Sequence, residues 1–185
     1  MDTFLVAVPM RTCARLVAGI TLMVAALSLA PDVAEAQGCR GVRSLKAPAG
    51  ATLCLINVQR RARHLAPLTA RMSLIRAARR HASDMVLRNY FSHVSLSGAT
   101  FTVRLQRNGY LRSNCSWSAG ETLAWGIGAR ATPAATVNAW MHSPPHRAVL
   151  LGRSFREAGI GAVGGVPGNP STGMTYVGEF GHRRC

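Results

Sequence analysis

Leu74, Ala77, Ala78, His81, Ala82, Met85 and Val86 recur at helical spacing on one stripe, while Arg76, Arg79, Arg80 and Arg88 lie off it. This is the clearest amphipathic helix in the chain, and Ser73 stands where a cap would open it. Upstream, Leu53, Leu55 and Ile56 predict a first helix from an N-cap at Thr52 to about residue 64, stopping before Pro67. A short third helix is expected over Phe101–Arg107, closed by Asn108-Gly109. Thr132-Pro133 supplies a cap and a first-turn proline for a fourth, with Val137, Trp140 and Met141 on its apolar face and Ser143-Pro144-Pro145 at its end. Strands are expected at 121–125, 160–163 and 174–180, the last two joined as a hairpin through the Gly/Pro-rich residues 164–173. Helices lead and strands mostly close the chain, which predicts the α+β class with an antiparallel sheet.

The first 36 residues follow a different pattern. Arg11 and Arg15 precede an uncharged run over residues 16–30, and Ala34-Glu35-Ala36 follows it. A short positive region, an apolar core and an A-x-A site predict a signal peptide over residues 1–36, with translation starting at Met1 or Met10. A retained anchor would want about 20 apolar residues, which no other stretch supplies. Ala36-Gln37-Gly38 before Cys39 is a poor lipidation site. The product is expected to be secreted, to the periplasm or the extracellular space. Residues 37–185 suffice for one domain: an N-terminal arm at 37–51, aperiodic and carrying Gly, Pro and Ala, and a body at 52–185.

Charge changes the picture of partners. The chain has 22 Lys and Arg against 7 Asp and Glu, a formal net charge of +15. Of its acids only Asp84, Glu121, Glu157 and Glu179 lie beyond residue 36, so the exported part is more basic still. Such a field favours anionic envelope polymers, lipid headgroups or nucleic acid without choosing among them, and arginine richness can also serve solubility alone. No nucleic-acid-binding motif is present, and a monomer is expected. Cys13 leaves with the signal segment, so Cys39, Cys54, Cys115 and Cys185 remain, and an even number in an exported domain predicts two disulfides. Of the three pairings, Cys39–Cys54 with Cys115–Cys185 is preferred, because it tethers the arm and the C-terminus to the body. A four-cysteine metal site is the rival, but no spacing resembles C-x-x-C.

The runs Leu55-Ile56-Asn57-Val58-Gln59-Arg60, Pro67-Leu68, Ala82-Ser83-Asp84-Met85 and Tyr90-Phe91-Ser92-His93 occur in that order. Gly109-Tyr110, Gly120-Glu121-Thr122, Trp140-Met141-His142-Ser143-Pro144-Pro145-His146-Arg147 and Gly159-Ile160-Gly161 follow. Together they resemble a bacterial CAP domain, of the superfamily of cysteine-rich secretory and plant pathogenesis-related proteins, over about residues 52–181. The resemblance implies an α-β-α sandwich, a central antiparallel sheet flanked by helices, with a cleft marked by two histidines and two glutamates. Three of those positions match His93, Glu121 and His146. Ser143 stands where other branches carry the second acid, Thr122 replaces an asparagine and Pro145 a glycine.

Two neutral imidazoles and a carboxylate are an acceptable shell for Zn²⁺ or another divalent metal, leaving a position open for water. His93 and His146, with Glu121, are therefore candidate metal ligands, and the same residues with Ser143 a candidate ligand cleft. Without metal, a carboxylate beside a histidine forms a general acid/base pair, so a metal-dependent or acid/base hydrolase acting on an envelope or extracellular substrate is the alternative to a binding module. A buried polar cluster that only joins sheet to helices is the third reading. Ser143 lacks the G-x-S-x-G context of a nucleophile. His81 lies on the buried stripe and reads as a core histidine, while His64, His142 and His182 have less claim to the cleft. Trp117, Trp125, Trp140, Tyr90, Phe91 and Tyr110 read as core aromatics by default. Arg147 is expected to serve structure.

Overall fold

A computed structural model describes residues 38–185 apart from Val42. The expected signal peptide lies outside the described residues. In chain order the elements are α1 (Pro48–Arg61), β1 (Thr69–Ala70), α2 (Met72–Leu87), α3 (Phe101–Arg107), β2 (Ser116–Gly126), a 3₁₀ turn (Gly128–Ala131), α4 (Pro133–His142), α5 (Pro144–Leu150), β3 (Glu157–Val166) and β4 (Asn169–Arg184). The sheet order is β1-β3-β4-β2. β4 lies at its centre, antiparallel to both β2 and β3, while two-residue β1 adds a parallel edge that periodicity could not announce.

Alternation along β3 and β4 sends apolar side chains to both faces of the sheet. Ala158, Ile160, Tyr176 and Phe180 pack against Ile56 and Val58 of α1 and Trp140 of α4. On the other face Leu123 and Val177 meet Ala78, Ala82 and Met85 of α2. The result is the expected α-β-α sandwich. α2 touches the sheet at backbone distance, because a Cβ at Gly159 would lie 2.2 Å from Ile75 N and one at Gly161 2.4 Å from Ala78 C. Only glycine permits that approach.

Several boundaries differ from expectation. α1 opens at Pro48, inside the predicted arm, since proline fits the first turn, where no N–H is needed. Thr52 is therefore not a cap; its hydroxyl donates to Pro48 O at 2.7 Å within the helix. α2 opens at Met72 with Arg71 as N-cap, leaving Ser73 inside the first turn. Ser143-Pro144-Pro145 ends α4 as expected but also starts α5, the two prolines standing at its N-terminus. Most of the Gly/Pro-rich residues 164–173 are strand, and the hairpin turns at Pro167-Gly168. Thr132 caps α4 as expected, accepting from Ala135 N, and Thr100, which the sequence reading does not single out, caps α3 by accepting from Val103 N. Asn108 closes α3, with Gly109 beyond it at φ 75°.

Both preferred disulfides form, Cys39–Cys54 and Cys115–Cys185. They tie the arm to α1 and the start of β2 to the end of β4. Arg60 is a fully buried arginine in α1. Its guanidinium donates to Ala66 O at 2.9 Å, Leu150 O at 2.7 Å, Gly152 O at 3.1 Å and Phe155 O at 3.3 Å. The last three belong to the C-terminal end of α5 and the turn after it, where free helix carbonyls favour a cation.

Candidate functional site

β2 and β4 pair in a register that sets Glu121 directly opposite Glu179. Residues of this parity on β2 and β4 face α2 and α3, so both carboxylates point into a covered layer; the Glu121 side chain is 1% exposed and Glu179 is fully buried. α3 supplies the compensating charge. Arg104, itself buried, donates from Nη2 to Glu121 Oε2 at 2.5 Å. Its Nη1 donates to His93 O at 3.0 Å, Ser95 Oγ at 3.2 Å and Ala99 O at 2.9 Å. One guanidinium thus fixes both the carboxylate and the backbone of the segment that carries His93.

The other oxygen of Glu121, Oε1, meets His93 Nδ1 at 2.8 Å. Although this carboxylate is buried, the His93 side chain is 55% exposed. Burial pushes the Glu121 carboxyl up, but the His93 hydrogen bond and the Arg104 charge count against it, and the net shift is downward. Glu121 stays ionised. Burial pushes Glu179 well above the ordinary carboxylate range, and the neighbouring Glu121 charge adds to the shift. Neither Glu179 oxygen has a hydrogen-bond partner among the described residues, so a carboxylate there would stand uncompensated, and the side chain is held as the neutral acid beside Glu121.

That pairing has a pH signature. Because the folded acidity constant of Glu179 lies above its unfolded value near 4.5, its contribution to stability is complete below that value and declines as pH rises toward the folded one. Glu179→Gln keeps the size and neutral polarity of the protonated acid and removes the titration. Urea unfolding at pH 4.5 and 7.5 should show the wild type's advantage over the variant shrinking at the higher pH. Parallel stability curves would contradict the assignment.

His146 comes from the first turns of α5, and its Nδ1 lies 2.8 Å from Ser143 Oγ at the junction with α4. Burial, then the nearby His93 charge, lowers the His146 imidazole from its ordinary value. It is neutral at pH 7. The four residues expected at the cleft therefore sit as two bonded pairs, His93–Glu121 and His146–Ser143, close enough for the imidazoles to repel when charged. Among the described residues Nε2 of each ring makes no hydrogen bond, whereas both Glu121 oxygens are committed, one to Arg104 and one to His93. Among the described residues no group of three or more His, Cys, Asp or Glu side chains is disposed to hold a metal. The donor set fits a site with two imidazole ligands, with Glu121 and Ser143 orienting the rings from behind.

His81 is buried, as its stripe predicts, with Nε2 2.9 Å from Ser92 O and Nδ1 3.5 Å from Tyr90 Oη. Tyr90 in turn donates to Asp84. Trp140, Tyr110 and their neighbours build the core, but Phe91, Trp117 and Trp125 are 44%, 46% and 52% exposed, contrary to the expectation for aromatics in so small a domain. Arg104 and Glu179 escaped sequence reading. Arg104 lies three residues after Phe101 and next to Leu105, on the apolar side of a short helix; Glu179 lies in Tyr176-Val177-Gly178-Glu179-Phe180, an acid inside an apolar strand. Both are charges in apolar context, the one signal that could have found them.

The family model described as CAP: Cysteine-rich secretory protein family matches residues 53–177. The uncharacterized protein YkwD of Bacillus subtilis (strain 168) is 34% identical over 110 residues, covering 59% of this chain and 40% of that protein. Among solved structures, an extracellular protein containing a SCP domain from Bacillus anthracis superposes with a TM-score of 0.59 at 28% identity, over 72% of this chain and 39% of that one. An outer surface protein from Borrelia burgdorferi does so with a TM-score of 0.58 at 23% identity, over 71% and 90%. The chain thus spans well under half the length of YkwD and of the Bacillus anthracis protein.

Proposed function

The chain belongs to the cysteine-rich secretory protein (CAP) family, and from that premise we propose that it is an exported binding module. Its cleft of His93, Glu121, Ser143 and His146 takes a divalent metal ion, zinc first, or a small polar ligand, and its arginines meet anionic envelope components. The observation that carries this reading is a buried, arginine-neutralised carboxylate holding a half-exposed imidazole. Burying two charges is costly, and orienting His93 toward solvent gives the arrangement a use beyond packing. The extracellular and outer-surface descriptions of its structural relatives support export. Among the described residues no helix is long and apolar enough to cross a membrane.

In this site His93 and His146 would hold the metal through Nε2, and the metal would supply Lewis acidity or an acidified water. The chain's own residues fix the tautomers. Glu121, as an acceptor, keeps the His93 proton on Nδ1 and leaves Nε2 with its lone pair, and the low proton affinity of His146 keeps that ring neutral at pH 7. Calorimetric titration of the mature domain with Zn²⁺ should give one site per chain. His93→Ala/His146→Ala should abolish it while leaving the circular dichroism unchanged. A folded double variant that binds zinc as the wild type does would defeat the proposal.

One observation favours a hydrolase as second reading: Ser143 Oγ lies within 2.8 Å of His146 Nδ1, the contact that a base-activated serine requires. Covalent labelling by a fluorophosphonate, lost in Ser143→Ala and His146→Ala, is the expected result if that reading holds. An unlabelled wild type retires it.

A further inference from the structure

The N-terminus of α2 opens into a cavity of 500 Å³ whose lining includes Arg71, Arg76, Arg112 and Arg183, with no acidic residue among its lining. These arginines come from four places: the loop after β1, the second turn of α2, the turn after α3 and the end of β4. The first intrahelical bond of α2 runs from Ile75 N to Arg71 O, so Met72, Ser73 and Leu74 have no helix carbonyl to donate to. No side chain caps this end, and no acid stands in the first turn. Ser73, only 7% exposed, lines the cavity, and its hydroxyl has no hydrogen-bond partner among the described residues. A buried hydroxyl without a partner is rare enough in folded proteins to ask for one.

Nearby groups are arranged around this concentration of donors. Glu157 accepts Tyr110 Oη at 2.9 Å and lies 3.5 Å from Arg71 Nε. Arg183 stacks over the Tyr110 ring at 5.1 Å and donates from Nη1 to Tyr110 O at 2.7 Å and Gly109 O at 3.3 Å. Arg183 is thus held in place, while Arg76 and Arg112 are exposed.

From this the geometry points to an anion site for a phosphate group, in which the first amides of α2 and the Ser73 hydroxyl donate from the floor and the arginines close from the sides. Helix amides and planar guanidinium forks are the donors that tetrahedral oxyanions recruit. None of the lining residues belongs to the His93/His146 cleft, so this inference stands or falls apart from the proposed metal function.

The test compares two pairs of substitutions that remove equal charge from the mature, disulfide-bonded domain: Arg76→Gln/Arg112→Gln in the site and Arg130→Gln/Arg153→Gln away from it. Inorganic phosphate is the first probe, followed by amide NMR shifts. Saturation at one site, with shifts at Met72, Ser73 and Leu74, is expected. The site pair should weaken binding about tenfold or more, and the distant pair far less. Vesicles of phosphatidylglycerol in phosphatidylcholine form the second arm. If they displace phosphate and respond to the site pair alone, the phosphate is a headgroup's; if they respond to both pairs alike while phosphate does not, the ligand is a soluble phosphate. Equal weakening of phosphate by both pairs, or no shift in the first turn of α2, overturns the inference and leaves only the general field of a basic protein.

Discussion

Arg60→Met is expected to destabilise the domain by about 3–5 kcal/mol, because it removes a fully buried cation whose four acceptors are interior carbonyls. Methionine replaces only the aliphatic stem of the side chain and donates to none of Ala66, Leu150, Gly152 or Phe155. Arg60→Lys retains the charge at a single point and should fall between the two, since an ammonium cannot fork to four oxygens. Urea unfolding with both disulfides intact measures the effect. A loss under about 1 kcal/mol would show that water replaces the guanidinium and that the carbonyls were never dependent on it. The consequence reaches the site. Arg60 holds the C-terminal end of α5, the helix that carries His146, so a folded Arg60→Met domain should also protect the amides of α5 less against hydrogen exchange.

Glu121→Gln carries the second large effect. It leaves Arg104, buried and already bonded to three other acceptors, without its counter-charge, at a cost of about 3 kcal/mol. Glu179 limits the damage. With the Glu121 charge gone, the repulsion that helps to keep Glu179 protonated disappears and the attraction of Arg104 remains, so Glu179 can ionise in its place. Glu179→Gln should therefore cost more in the Glu121→Gln background than alone, at pH 7. A double-mutant cycle measures this coupling, and strict additivity would refute the shared role of the two acids. Loss of the charged acceptor behind His93 should also weaken metal uptake by about 10- to 100-fold, the usual effect of removing an orienting carboxylate.

The elements that the hydrophobic pattern located were those whose burial is one-sided. α2 follows its Leu74-to-Val86 stripe, and α3 and α4 begin at threonine caps whose chemistry is local. β4 is longer than its pattern suggests because it lies between two strands and two helical layers, where apolar residues continue on both faces and glycines serve packing more than turning. α1 begins earlier than its apolar pattern suggests because Pro48, a breaker inside a helix, acts here as a first-turn residue. His93, Glu121, Ser143 and His146 could be named from ordered matches to a family, but their spacing said nothing of who bonds to whom. Arg104 and Glu179 are where the two levels separate: each is legible only as a charge that the fold buries, and the register of β2 on β4 makes Glu179 the neighbour of Glu121. The acid that the family pattern places near Ser143 is absent there, and a second acid nevertheless stands within the network, behind the first.

Two oriented imidazoles around one metal ion would be seen by X-ray absorption at the zinc edge. On a stoichiometric zinc complex of the mature domain, two histidine nitrogens are expected at about 2.0–2.1 Å with the remaining positions filled by oxygen, and the imidazole signature should be lost in His93→Ala/His146→Ala. A zinc shell without histidine, or one unchanged by the double substitution, would contradict the two-imidazole site.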